Sequence, residues 1–72
     1  MSRLPVCSGA EAVRAFQRIG YALDHQTGSH MILRHENLRR LTVPNHRELA
    51  KGTLRSLLRE AGVTPDQFRE LL

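Results

Sequence analysis

Apolar residues recur at helical spacing in the first part of the chain. They predict an amphipathic helix over residues 9–19, because side chains three or four positions apart lie on one side of a helix. The apolar face of this helix consists of Val13, Phe16 and Ile19. Ser8 with Glu11 three residues later is the pattern of an N-terminal capping box. Gly20 follows at a position typical of a helix end.

The clearest apolar periodicity lies in the last third of the chain. It predicts a second helix ended by Gly62, with apolar residues at positions i, i+3, i+4 and i+7. These residues are Leu54, Leu57, Leu58 and Ala61. Residues 45–52 before them are expected to form a connector that is partly helical. Thr64, Pro65 and Gln67 predict the start of a short last helix, whose apolar face consists of Phe68, Leu71 and Leu72.

The segment between the predicted helices has the alternation and the turn residues of β-strands. Residues 21–26, 29–35 and 40–43 are expected to form three strands, the first of them half buried. A turn is expected at residues 27–28, and Pro44 is expected to stop the third strand. The short connections favour an antiparallel meander.

The element order α-β-β-β-α-α predicts an α+β fold that forms a single domain over residues 1–72. Helices that precede and follow a three-stranded antiparallel sheet are expected to pack together on one face. The other face then stays open to solvent or to a partner. This layout is also that of the double-stranded RNA-binding domain, although a shared layout alone does not establish function.

The chain is basic, and its cations are almost all arginine. Lys plus Arg is 11 against 7 for Asp plus Glu, the formal net charge is +4, and Lys51 is the only lysine. Because the planar guanidinium suits phosphate oxygens, the composition favours a polyanionic partner. RNA, DNA and an acidic protein are all compatible with this composition. A basic surface that is simply solvated is also compatible with it.

Several arginines could contact such a partner. Arg34, Arg39 and Arg40 belong to the predicted hairpins and could follow an RNA backbone, although each alone is also typical of a solvated face. Like-charged residues four positions apart mildly oppose helix formation, which favours an anionic partner. Two such pairs stand on the predicted helices: Arg14 with Arg18, and Arg55 with Arg59.

Composition also bears on where the protein works. Cys7 is the only cysteine, which excludes a disulfide within the chain and fits a reducing cytoplasm. No apolar run is long enough for a secretory signal or for a membrane span. We therefore expect a cytoplasmic protein without a membrane partner.

The residue inventory disfavours most catalytic chemistries. The carboxylates at Asp24, Glu36, Glu48 and Asp66 are dispersed, so a site for two catalytic metal ions is not expected. The sequence has no support for a Ser or Cys nucleophile triad and lacks a glycine-rich phosphate loop. We expect no metal and no cofactor.

The four histidines remain as candidates for proton transfer. His25, His30 and His35 are five residues apart, so neighbours point to opposite faces of a strand, which disfavours a zinc site. His46 is expected to brace the connector, with a role as a second proton carrier as the alternative. For any single histidine a structural role is the more common one.

His30 differs from the other histidines by its position. It follows Gly28 and Ser29 at a predicted turn, where glycine lets the backbone approach a ligand and Ser29 offers a hydroxyl. Histidine changes its charge near neutral pH. RNA carries a 2′-hydroxyl beside each phosphate, so a positioned histidine could cleave it without a metal. Backbone donors or cations would stabilise the charge that develops on the phosphate.

Three motifs in order resemble the HicA toxin family of toxin–antitoxin systems. Residues 28–30 read Gly-Ser-His, residues 42–49 read Thr-Val-Pro-Asn-His-Arg-Glu-Leu, and residues 51–54 read Lys-Gly-Thr-Leu. Residues 61–63, which read Ala-Gly-Val, and Phe68 match the usual ending of the family. The resemblance covers nearly the whole chain, and the three motifs together are more specific than any one of them.

The resemblance implies a double-stranded-RNA-binding-like fold and an mRNA interferase that inhibits translation by cleaving RNA. It also implies a HicB-type antitoxin, with a toxin that is monomeric alone and hetero-oligomeric with its antitoxin. The catalytic histidine of the family lies in the Gly-Ser-His motif, so that role carries over to His30. Gly28 and Ser29 could hold a phosphate. Lys51 could do so near a helix start, with a solvated lysine as the alternative.

Two other functions compete with an RNA endonuclease. The first is a non-catalytic module that binds structured RNA through the same fold and charge. The second is a DNA-binding or antitoxin-like regulator, which is disfavoured because no recognition-helix pattern is present. His30 separates these readings, because the enzyme needs it and a binding module does not.

Overall fold

Three helices and three strands follow one another in the order that the sequence predicts. The protein is described by a computed structural model over residues 3–72. Its elements are α1 (Gly9–Gln17), β1 (Ala22–Thr27), β2 (His30–Arg34), β3 (Leu41–Pro44), α2 (Lys51–Ala61) and α3 (Pro65–Leu71). The strands form one antiparallel sheet in the order β1-β2-β3. The predicted α+β class and element order are confirmed.

Both predicted capping boxes are present. The Ser8 hydroxyl accepts a hydrogen bond of 3.0 Å from the Glu11 N–H, and the Glu11 carboxylate accepts one of 2.8 Å from the Ser8 N–H. These bonds satisfy donors that the helix leaves open. The bond from the Ser8 backbone holds the pKa of Glu11 below its usual value. Thr64 and Gln67 form the same pair of bonds at the start of α3.

The start of α2 agrees with the expectation that the connector is partly helical. The helix begins at Lys51, inside the stretch expected to be a connector, and its N-cap residue Ala50 makes no side-chain capping bond. A tertiary contact sets this boundary, because the N–H of the buried Leu49 donates to the carbonyl of Cys7 at 2.9 Å. The connector is thereby anchored to the N-terminal segment one turn before the periodic leucines begin.

One face of the sheet is buried under the helices. Met31 pairs with Val43 and Leu33 pairs with Leu41 across β2 and β3, and all four side chains are buried. The intervening residue Ile32 is only half buried, and His30 and Arg34 are exposed. Because side chains alternate along a strand, these three residues point to the face that the helices leave open.

Aromatic and aliphatic side chains from all three helices fill the core. The rings of Phe16 and Phe68 lie 5.3 Å apart between centroids, and both side chains are fully buried. The leucines at 54, 57 and 58 are buried as predicted. The apolar periodicity of the sequence therefore identifies the core face of each long helix.

The prediction that the first strand is half buried is wrong, because all six residues of β1 are exposed. Leu23 is 46% exposed although its partner Leu33 is fully buried. Both α1 and α2 contact β3, the opposite edge of the sheet, so β1 lies at the rim of the helical layer. A register shift between Leu23 and His25 adds an unpaired residue, Asp24, to this edge strand.

Candidate functional site

The candidate site begins at the turn between β1 and β2. Gly28 and Ser29 form a two-residue turn that connects Thr27 to its strand partner His30. Gly28 has a φ of +58°, and no residue other than glycine has a positive φ within residues 3–72. A positive φ at the first of the two turn positions is the type II′ arrangement, which suits glycine and the twist of a hairpin. The turn lies one residue later than the sequence suggested.

A hydrogen bond ties this turn to the segment that follows β3. The Asn45 N–H donates to the Ser29 carbonyl at 2.6 Å, and His30 pairs with Pro44 in the sheet. The same segment is held from its other side, because the Gly9 N–H at the start of α1 donates to the His46 carbonyl at 2.9 Å. The backbone beside His30 is thus fixed by three different elements.

The His30 side chain is exposed on the open face of the sheet. Within residues 3–72, its imidazole takes part in no hydrogen bond and no ion pair. Both ring nitrogens are therefore accessible to a ligand. The backbone at this position is held in place and the imidazole is unoccupied, which leaves it available for acid–base chemistry.

The other histidines are in different environments. His25 Nδ1 lies 2.9 Å from the Asp24 carboxylate. His35 follows β2 instead of ending it, and its Nε2 lies 2.9 Å from the Ile19 carbonyl while its Nδ1 accepts from two backbone N–H groups. His46 is exposed, and its imidazole has no such contact in the described part of the chain. His30 and His46 are therefore the histidines with unengaged rings.

The predicted arginines at 34 and 40 lie at the far end of the open face. Arg34 is four residues from His30 along β2, a distance of about 13 Å along the strand. Asp24 lies 3.4 Å from the guanidinium of Arg34 and 3.5 Å from that of Arg40. The structure brings these two cations together around one carboxylate and separates them from the turn.

The remaining predicted cations lie elsewhere. Arg39 is exposed, and its carbonyl accepts a 2.7 Å hydrogen bond from the Tyr21 hydroxyl. Lys51 begins α2, which packs on the other side of the sheet from the His30 side chain, and it lines a groove with Arg55 and Arg59. The contributions of Arg39 and Lys51 to RNA binding stay predictions.

Two features of the site escaped the sequence analysis. Asp24 contacts both arginines because of the register shift in β1, and an irregular pairing leaves no mark in the residue pattern. Asn45 acts through its backbone N–H, so its side-chain type carries no signal for the bond to Ser29. The sequence indicates only that Asn45 directly follows the proline that ends β3.

No three His, Cys, Asp or Glu side chains in residues 3–72 converge closely enough to hold a metal ion. No helix in the same range has the length and apolar character needed to span a bilayer.

The Asp24 cluster predicts a pH dependence of stability. The hydrogen bond from His25 and the positive charges of His25, Arg40 and Arg34 hold the pKa of Asp24 below its usual value. A carboxyl with a lowered pKa in the folded state stabilises the fold above its unfolded pKa, and this contribution is lost as the pH falls through the folded pKa. We expect Asp24→Asn to reduce the loss of stability below about pH 5.

Urea unfolding followed by circular dichroism at a series of pH values measures this effect. The difference in free energy of unfolding between the wild-type chain and the variant should shrink as the solution is acidified. A difference that stays constant from neutral pH to acid would show that Asp24 has no such role. Because the carboxylate is on the surface, added salt should weaken the effect.

A comparison with known protein families finds a match that covers most of the chain. Residues 9–63 match the family model described as the HicA toxin of bacterial toxin–antitoxin. The match extends from the first residue of α1 through the sheet and α2, and it includes the turn, His30 and the connector after β3. No curated protein matches the chain.

Proposed function

The chain belongs to the HicA toxin family, and from this membership we propose that it is a metal-independent endoribonuclease whose proton-transfer group is His30. It is the toxin of a toxin–antitoxin system and has an antitoxin as its partner. Beyond what the family membership shows, we propose the reaction, RNA as the substrate, and an antitoxin of the HicB type. In this proposal, translation stops because the toxin cleaves mRNA.

One observation carries the proposal. His30 has an exposed imidazole without a protein partner, on a backbone held by β1, β3 and the connector. By contrast, Nδ1 of His25 and both ring nitrogens of His35 have hydrogen-bond partners. A free imidazole on a rigid backbone supports a role in proton transfer.

The proposed reaction is an internal transesterification of RNA. His30 takes the proton from a 2′-hydroxyl, and the 2′-oxygen attacks the adjacent phosphorus. The bond from phosphorus to the 5′-oxygen breaks, and that oxygen leaves with a proton from the solvent or from an acid. The products are a 2′,3′-cyclic phosphate and a 5′-hydroxyl end. A positioned histidine accelerates such a step by about 10²- to 10⁴-fold.

Other residues would bind the RNA. We propose that Gly28 and Ser29 contact the scissile phosphate, because they form the turn that precedes His30. Arg34 and Arg40 lie on the same exposed face and would hold the backbone a few nucleotides away, together with the nearby Arg39. Lys51 would contact a more distant phosphate. Cations of this kind contribute affinity without reading the base sequence.

The test is cleavage of RNA by the purified chain in a buffer that contains a chelator. We expect endonucleolytic products with 2′,3′-cyclic phosphate and 5′-hydroxyl ends. An oligonucleotide of the same sequence made of DNA should remain intact, because it lacks the attacking hydroxyl. The lengths and ends of the products can be read on a sequencing gel and by mass spectrometry.

Three outcomes would contradict the proposal. Cleavage of the DNA oligonucleotide at the same rate would show a mechanism that does not use the 2′-hydroxyl. Tight binding of RNA without cleavage would instead support a structured-RNA-binding module of the same fold. Restoration of cleavage by added divalent metal alone would exclude the metal-independent mechanism.

A further inference from the structure

A groove of about 690 Å³ lies between the N-terminal segment and the outer side of α2. Of the residues proposed to contact RNA, Lys51 lines this groove, whereas His30, the turn before it and the arginines at 34, 39 and 40 do not. Among the described residues that line this groove, four are cations and none is acidic. The cations are Arg3, Lys51, Arg55 and Arg59.

Three of these cations form a row along one helix. Lys51, Arg55 and Arg59 stand at positions i, i+4 and i+8 of α2, so they share one side over about 12 Å. All three are exposed, and none forms a hydrogen bond or an ion pair through its side chain within residues 3–72. Like charges at this spacing oppose helix formation, and no carboxylate of the described chain forms an ion pair with these three side chains.

The floor of the same groove is apolar. It includes Leu4, Val6 and Val63, and the Val6 side chain is 72% exposed, the largest exposure among the large apolar residues in the described part of the chain. Exposed apolar surface bordered by charge is typical of a binding site for a protein segment. The floor is anchored, because the Arg69 guanidinium in α3 donates to the Arg3 carbonyl.

We propose that this groove binds an acidic, amphipathic peptide helix supplied by the antitoxin. Carboxylates on one side of such a helix would pair with the cationic row, while apolar residues beside them would cover Val6 and its neighbours. The antitoxin is the occupant because the family membership provides it as a partner. A second copy of this chain is disfavoured, since each copy carries a net charge of +4.

An RNA backbone would use only part of this surface. Phosphates could pair with the cations, but they would leave the apolar floor in contact with water and gain nothing from it. An amphipathic peptide helix would gain binding energy from the cations and from the apolar floor. A change at Val6 should therefore alter the affinity for the peptide but not the affinity for RNA, and the experiment uses that difference.

The probes are two labelled molecules of defined chemistry. One is a helical peptide whose glutamates recur at every fourth position beside a row of leucines, with the glutamine version as its control. The other is a 2′-O-methylated RNA duplex, which can bind but cannot be cleaved at a 2′-hydroxyl. Fluorescence anisotropy measures the affinity of the full chain for each probe.

We expect the wild-type chain to bind the glutamate peptide at least roughly tenfold more tightly than the glutamine version, because the charges are complementary. The double variant Arg55→Glu with Arg59→Glu reverses two of these charges. It should bind the glutamate peptide roughly tenfold or more weakly than the wild-type chain does. Arg47→Glu, an exposed arginine of the connector that does not line this groove, is the control and should have little effect. If the reversed variant does not fold, glutamine replaces both arginines.

The floor is tested by Val6→Ser. We expect this change to weaken peptide binding by about threefold to tenfold and to leave RNA binding unchanged. Equal affinity of the wild-type chain for both peptides would overturn the proposal. So would RNA binding that requires Arg55 and Arg59 when the peptide does not bind. These readouts do not depend on His30, so a failure of the nuclease mechanism would leave them interpretable.

Discussion

Replacing His30 by alanine should lower the rate of RNA cleavage by about 10²- to 10⁴-fold while leaving the fold intact. The loss follows because the variant lacks the group that takes up the proton of the 2′-hydroxyl. The fold should persist because the imidazole is exposed and has no partner in residues 3–72. Exposed side chains without contacts change the free energy of unfolding by about 0.5 kcal/mol or less. Single-turnover cleavage and urea unfolding measure the two quantities on the same sample.

His25→Ala is the matched control for this experiment. His25 is also an exposed histidine of the sheet, but its ring is engaged by Asp24, so its loss should not remove the proton acceptor. Added imidazole should partly restore cleavage by His30→Ala, because a free base can enter the space left by the side chain. Equal rates for wild-type chain and His30→Ala would refute the mechanism. An unfolded variant would refute the assignment of His30 as a residue without a structural role.

Replacing Gly9 by alanine should destabilise the protein by about 1–3 kcal/mol or more. A Cβ at this position would lie 2.0 Å from the Pro44 carbonyl oxygen and 3.2 Å from the Asn45 Cα. Both are backbone atoms that cannot rotate away. The change should also lower RNA cleavage, since it pushes on the segment whose Asn45 N–H holds the turn beside His30.

The sign of this effect separates packing from helix propensity. In an exposed helix, alanine in place of glycine stabilises by up to about 1 kcal/mol. Gly52→Ala in α2 is the matched control, because nothing lies within 4 Å of its Cβ and it should therefore be stabilising. Urea unfolding should give opposite signs for the two variants. Stabilisation by both would mean that α1 does not press on the connector as described.

The sequence predicts the helices better than the edge of the sheet, for a local reason. Each capping box forms between two residues that are three positions apart. The residues that make these contacts can therefore be recognised from a short stretch of sequence. The core positions of α2 follow from a single periodicity that tertiary contacts only reinforce. By contrast, the exposure of β1 depends on how much of the sheet the helices cover. The alternation of residues within the strand does not encode the extent of that coverage.

The candidate site was predictable in part. Residues 28–30 are predicted from their turn chemistry and from their resemblance to a family. In the structure, residues 28 and 29 form the turn of the first hairpin and His30 begins the next strand. Spacing along the chain could not tell that Arg34 and Arg40 share Asp24. The sequence places Lys51 near a helix start, as found, but it could not show the bond between Leu49 and Cys7, which are far apart in sequence.

For His30, the sequence by itself determined the residue type, the turn before it and the strand that carries it, because these depend on neighbours within a few positions. Only the tertiary structure decided that its ring is free, that Asn45 holds the carbonyl of the preceding Ser29, and that the start of α1 holds the connector at His46. The same holds for the cationic groove, whose helix row is visible in the sequence and whose apolar floor comes from the N-terminal segment. Contacts between distant segments depend on how the elements pack, and a local pattern cannot encode that packing.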